Sequence, residues 1–160
     1  DVSKMGTWFL KQDAPGMIMS YAEVCFLKAE AALKGWYIGD AQQYYVDGVT
    51  ANMQSYTGGG ITTTQINTYV ASLPPVSLEN IITQKWITFT YQNGFEAYNE
   101  YRRTGYPVLK DYSGNAINAN TFPNRLTYPA TELSLNSVNY YDAIAHQGAD
   151  NASTKVWWDQ

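Results

Sequence analysis

The sequence predicts an all-α fold made of helix hairpins joined by long irregular loops. Three observations carry this. Apolar residues recur at helical spacing over about 18–34 and 40–56. Residues that start and stop helices stand at the ends of such stretches, with Asp40 and Ser77 as N-caps and Gly35 and Gly105 as terminators. The connection Gly35–Gly39 is short enough that the helices it joins must be antiparallel neighbours.

The first helix is expected at about 18–34. Tyr21, Val24, Cys25, Leu27, Ala29, Ala31, Ala32 and Leu33 give it a wide apolar face, and Ala29 to Lys34 has high helix propensity. The second runs from Asp40 to about Tyr56, with Ala41, Tyr45, Val49 and Met53 stacked at i+4. Residues 18–56 thus read as one hairpin, broken off by Gly58-Gly59-Gly60. A short helix over 64–72 presents Ile66, Tyr69 and Val70, with Leu73 following. Ser77 caps a third strong helix over 78–92, and Val76 and Ile81 are placed as a hydrophobic staple. Asn93-Gly94 interrupts it and Phe95 to Thr104 forms a fourth, so 78–104 reads as a second hairpin or one kinked helix. Residues 105–160 are loop-rich, carrying Pro107, Gly114, Pro123 and Pro129, with short helices expected at about 130–136 and 137–145. Trp157-Trp158 near the end suggests a tail that docks. The two hairpins share no 34-residue period, so this is not a regular tandem array.

Composition narrows the function. Of the 160 residues, 45% are hydrophobic, 15% charged and 15% aromatic, with 14 Tyr and 5 Trp. A disordered chain would be charged and poor in rings. The net charge of −4 argues against nucleic acid, because neutralising phosphates needs clustered Lys and Arg and only Arg102-Arg103 is locally basic. The longest apolar runs, such as Val24–Leu27, are four residues, against the roughly 20 that a spanning helix needs. The chain opens at Asp1 with no Met and no signal-peptide pattern, which suggests a mature or truncated product. The single Cys25 lies in an apolar helical stretch and reads as a buried thiol.

Three stretches, in order, carry a resemblance. The first is Ser20-Tyr21-Ala22-Glu23 through Ala29-Glu30-Ala31-Ala32-Leu33-Lys34-Gly35-Trp36. The second is Gln84-Lys85-Trp86-Ile87, continuing to Gly94-Phe95-Glu96-Ala97-Tyr98 and Tyr101-Arg102-Arg103-Thr104-Gly105-Tyr106-Pro107. The third is Arg125-Leu126-Thr127-Tyr128-Pro129 with Glu132 and Asn136, then Val156-Trp157-Trp158-Asp159. The sequence resembles the C-terminal portion of the SusD/RagB family of outer-membrane nutrient-binding lipoproteins of Bacteroidota. The resemblance implies tetratricopeptide-like helix pairs. It implies a SusC-like TonB-dependent transporter as partner, an oligosaccharide or sometimes peptide cargo, and no chemical step, catalytic residue or cofactor. It also implies that the lipid anchor and the remaining N-terminal part of the protein lie outside this chain, since Cys25 sits in mid-helix.

The residues themselves add candidates. Sugar rings stack their C–H faces on Trp and Tyr, while Asn, Asp and Gln bond the hydroxyls; a flat ring loses little side-chain entropy on binding. Trp8, Trp36 and Tyr112 stand near expected loops and are the candidate ligand-binding residues. The competing reading is that such rings, Trp36 and Trp86 above all, pack the joints between helices. Glu96 and Glu100 share one helical face, a poor geometry for a glycosidase pair, so Glu96, Arg102 and Arg103 read as a structural ion network. His146 has no partner at metal-ligand spacing, so no metal is expected and a surface or capping role is. The reading is therefore surface capture of a nutrient, with a peptide- or protein-binding scaffold and a glycoside hydrolase as rivals.

Overall fold

The structure is a computed structural model that describes residues 4–14, 16–56, 60–111, 113–117 and 122–158. A 3-10 turn at Thr7–Leu10 precedes α1 (Tyr21–Leu33), α2 (Ala41–Ser55), α3 (Thr63–Ala71), α4 (Leu78–Thr88), α5 (Gly94–Thr104), α6 (Ala130–Leu135) and α7 (Ser137–Gln147). The fold is all-helical: among the described residues the extended pairing is one isolated bridge, Lys110 with Ala116. The chain divides into two compact units, Asp1–Tyr101 and Arg102–Gln160.

Local chemistry sets the helix ends. Asp40 accepts hydrogen bonds from the Gln42 and Gln43 amides and Ser77 from the Asn80 amide. Thr62 and Gln65 form a capping box on α3. After α1 the Gly35 amide bonds Ala32 O at 3.0 Å and the Trp36 amide bonds Ala31 O at 2.8 Å. This double bond pattern requires the left-handed φ of +72° that Gly35 adopts.

In the first unit α1 lies against both α2 and α4. Ala22, Phe26 and Ala29 of α1 meet Tyr45 and Val49 of α2 and Ile81 of α4 in the core. Tyr45, Phe26, Ile81, Ile82 and Val49 are its largest fully buried side chains, each worth about 1.5–3 kcal/mol of transfer free energy. Gly48 lets α2 approach Phe26: a Cβ there would lie 2.6 Å from Phe26 Cε1.

Two helices depart from expectation. Tyr21, Leu27 and Leu33, expected on the apolar face of α1, are 69%, 40% and 41% exposed, while Phe26, Glu23 and Glu30 are buried. Contact on two sides gives α1 a broad buried arc that takes in acidic positions; Glu30 is compensated by Lys34 at 2.7 Å. Helix α4 ends at Thr88 rather than near residue 92, with Thr88 Oγ1 donating to Gln84 O and Tyr91 in the left-handed region at φ 63°.

The second unit is organised by Asp150. Its Oδ1 accepts from Arg125 Nη2 and the Tyr128 amide, both at 3.1 Å, and its Oδ2 from Tyr140 Oη at 3.2 Å. Tyr128 Oη donates to Gln147 Oε1, and its ring lies 4.8 Å from the Arg125 guanidinium. The expected docking of the tail is made by Val156, which is buried. Trp157 and Trp158 instead remain 81% and 62% exposed, in edge-to-face contact with each other.

Candidate functional site

Three segments distant in sequence meet at a cleft in the first unit. Residues just before and within the first turn of α1, the last turn of α2, and the turn that closes α4 enclose about 270 Å³. Met17, Ile18, Tyr21, Ala51 and Phe89 supply its apolar lining, and Glu23, Asn52, Ser55, Gln92 and Asn93 its polar groups. A neighbouring hollow of about 370 Å³, lined in part by Met5, Phe9 and Tyr91, shares Met17 and Gln92 with it. Phe9 packs at 5.7 Å from the Tyr56 ring and 5.4 Å from that of Tyr91.

The residues are placed there by helix termination. Ser20 Oγ accepts from the Glu23 amide, the side-chain cap of α1. That fixes Glu23 at the start of α1. The Asn93 amide bonds Phe89 O, folding Gln92 and Asn93 back over the end of α4. Burial pushes the Tyr56 phenol's pKa up, and the Gln92 side chain opposes the shift. Ser55 Oγ is spent on Asn52 O at 2.6 Å. The side-chain amides of Asn52 and Asn93 make no hydrogen bond to other described residues, so their donors and acceptors are open.

Burial raises the Glu23 pKa above the ordinary carboxylate range; Lys85 opposes the shift, and Glu96 and Glu100 add to it. Lys85 is itself committed to Glu100, with 2.8 Å between Nζ and Oε1 and side chains only 3% and 12% exposed. The cleft therefore carries acidic character with no cation among its lining residues. Among the described residues no group of His, Cys, Asp and Glu could hold a metal ion.

None of the described candidates named by sequence lines the cleft. Trp36 does not line the cleft. It follows the last turn of α1, 77% exposed, with Lys34 Nζ 4.8 Å from its ring centre. The joint-packing reading fails for it, because the reversal at Gly35 turns it away from both helices. Trp86 is 39% exposed. Trp8 lies in the 3-10 turn, but its side chain, like the whole of Tyr112, is outside the described residues. Glu96 stands half-buried in the first turn of α5, and Arg102 and Arg103 in its last. Arg102 lies 5.8 Å from the Trp158 ring. Glu100, one turn on from Glu96, pairs with Lys85 at 2.8 Å. His146 is exposed, with Nδ1 2.8 Å from Asp142 O. Sequence reasoning missed the cleft; the amide cluster Gln92-Asn93, set where a helix ends, was its one local signal.

Comparison with known proteins shows what the chain is similar to. The profile of the SusD-like family described as starch-binding and associating with the outer membrane matches residues 1–129. No curated protein matches. Among solved structures, a SusD-like protein of Bacteroidetes AC2a is 34% identical with a TM-score of 0.78, over 96% of this chain and 32% of its own. A chitin-binding protein is 36% identical with a TM-score of 0.70, over 88% of this chain and 32% of its own. A chitin-binding SusD homologue from Flavobacterium johnsoniae is 31% identical with a TM-score of 0.66, over 89% of this chain and 36% of its own. The chain belongs to the SusD-like family. It spans about a third of the length of these relatives.

Proposed function

We propose that this chain is the C-terminal portion of a surface protein that captures oligosaccharide, without chemistry, for import across the outer membrane. The observation that carries this is the family match over residues 1–129, to a family described as starch-binding and outer-membrane-associated. The cleft supports it, because it offers rings and open amides rather than a catalytic pair. A hydrolase needs two carboxylates facing one bond across about 5–9 Å, and here Glu100 is neutralised by Lys85.

The partners follow from the same reading: a SusC-like TonB-dependent transporter, and the remaining N-terminal part of the same protein, which carries the lipid anchor. Ile18, Ile38, Phe95, Leu126 and Leu135 are 93%, 96%, 84%, 89% and 85% exposed. Large apolar side chains this open, on both units, fit surfaces that other polypeptide covers. Trp36, 77% exposed, is an outward ring open to stacking, and Trp8 and Tyr112 are further candidates.

The test is electrophoresis through native gels cast with starch, chitin derivatives or other polysaccharides. Retardation in at least one glycan, with no shortening of the glycan, is the expected result. Unretarded migration in all of them, or release of reducing ends, contradicts the proposal.

A further inference from the structure

Resting on that reading, we propose that the cleft between the start of α1, the end of α2 and the turn after α4 is a saccharide subsite selective for an uncharged N-acylated hexosamine unit.

The sign of its charge sets the first limit. Glu23 is the one carboxylate among the lining residues, and no Lys or Arg joins it. The nearest cation, Lys85, is buried and held by Glu100 at 2.8 Å. A uronate or sulfated sugar would find no counter-charge among the lining residues and would approach the Glu23 carboxylate, a like-charge arrangement in partly desolvated surroundings.

The lining sets the second. Met17, Ile18, Ala51 and Phe89 offer apolar contact that the hydroxyls of a plain hexose cannot use. Burying a hydroxyl there without a partner costs about 1–3 kcal/mol. An acetamido methyl uses the same contact favourably. Its N–H has the Glu23 carboxylate as acceptor, a charge-assisted bond. Its carbonyl has the open amides of Asn52 and Asn93 as donors, and the exposed Tyr21 ring is a face for sugar C–H groups. The open cleft of about 270 Å³ has room for one such unit. Chitin, which two of the similar structures are named for binding, is a polymer of such units.

The experiment is titration calorimetry of the chain with chito-oligosaccharide, malto-oligosaccharide and oligogalacturonate of equal length. It is repeated on Glu23→Gln, Asn52→Ala and Asn93→Ala, with melting curves to show that each variant folds. The expected result is chito-oligosaccharide binding about tenfold or more tighter than malto-oligosaccharide, and none of the uronate. Each variant loses roughly three- to tenfold, as for one hydrogen bond. Equal or tighter binding of glucan or uronate overturns the selectivity. Chito-oligosaccharide binding that all three folded variants leave unchanged overturns the subsite while leaving glycan capture standing. Lowered melting with unaltered binding assigns the cleft to polypeptide packing and overturns the subsite as well. Binding of no glycan at all overturns both this inference and the function it rests on.

Discussion

Lys85 Nζ lies 2.8 Å from Glu100 Oε1, and the two side chains are 3% and 12% exposed. This pair ties α4 to α5 in the interior of the first unit, with the Lys85 ammonium also 5.7 Å from the Phe89 ring. Removing one partner strands a buried charge. Glu100→Ala is expected to destabilise the fold by about 3–5 kcal/mol, whereas the apolar double change Lys85→Met with Glu100→Leu costs far less. Urea unfolding of the two variants measures the difference; equal losses would show that packing, not charge, is what the pair supplies.

Gly48 of α2 lies directly against the Phe26 ring of α1. An alanine there gains about 1 kcal/mol of helix propensity. Its Cβ, however, would stand 2.6 Å from Phe26 Cε1, and Phe26 is only 1% exposed, so its ring has nowhere to go. Overpacking costs about 1–3 kcal/mol. Gly48→Ala is expected to lower the melting temperature, and Gly48→Ala with Phe26→Leu to recover part of the loss.

Much of this fold was legible because its signals are local. Asp40, Ser77 and Gly35 act on amides within three residues of themselves, so their effect needs no knowledge of the rest of the chain. The i+4 stack through Tyr45 and Val49 holds because α2 buries one narrow side. The face of α1 was misjudged because two helices press on it, and hydrophobic spacing does not announce a buried Glu23 or Glu30. The cleft was illegible for a related reason. Residues 17–23, 51–56 and 88–93 meet only after α1, α2 and α4 have packed. Trp36 drew attention as a ring near a turn, yet only the double hydrogen bond after α1 decides that it faces outward.

Glu23 gives the fold a pH dependence of definite sign. Its folded pKa is raised, so between the ordinary carboxylate range and that raised value the folded state binds more protons than the unfolded one. Stability therefore falls as pH rises through that window. Glu23→Gln keeps the shape of the side chain while removing its charge and is expected to raise the melting temperature at neutral pH. The advantage should vanish below the ordinary carboxylate range, where Glu23 is protonated in both states. A benefit that persists in acid would assign the effect to something other than ionisation.

Asp150 serves three donors at once in the second unit: Arg125, the Tyr128 amide and Tyr140. The Arg125 side chain is 8% exposed, and its Nη1 has no hydrogen-bond partner among the described residues. Losing Asp150 removes the carboxylate that lies 3.1 Å from that guanidinium. Asp150→Ala is expected to cost about 3–5 kcal/mol. Asp150→Asn, which keeps acceptor geometry on one oxygen, should cost less. Hydrogen exchange localised to residues 102–160 distinguishes this from a global effect.

Glycan capture without chemistry is tested most directly by titrating the chain with soluble oligosaccharides in a calorimeter and analysing the sugar afterwards. Saturable heat, with every oligosaccharide recovered at its original length, is the predicted outcome. Shortened products, or no heat with any glycan, would contradict it.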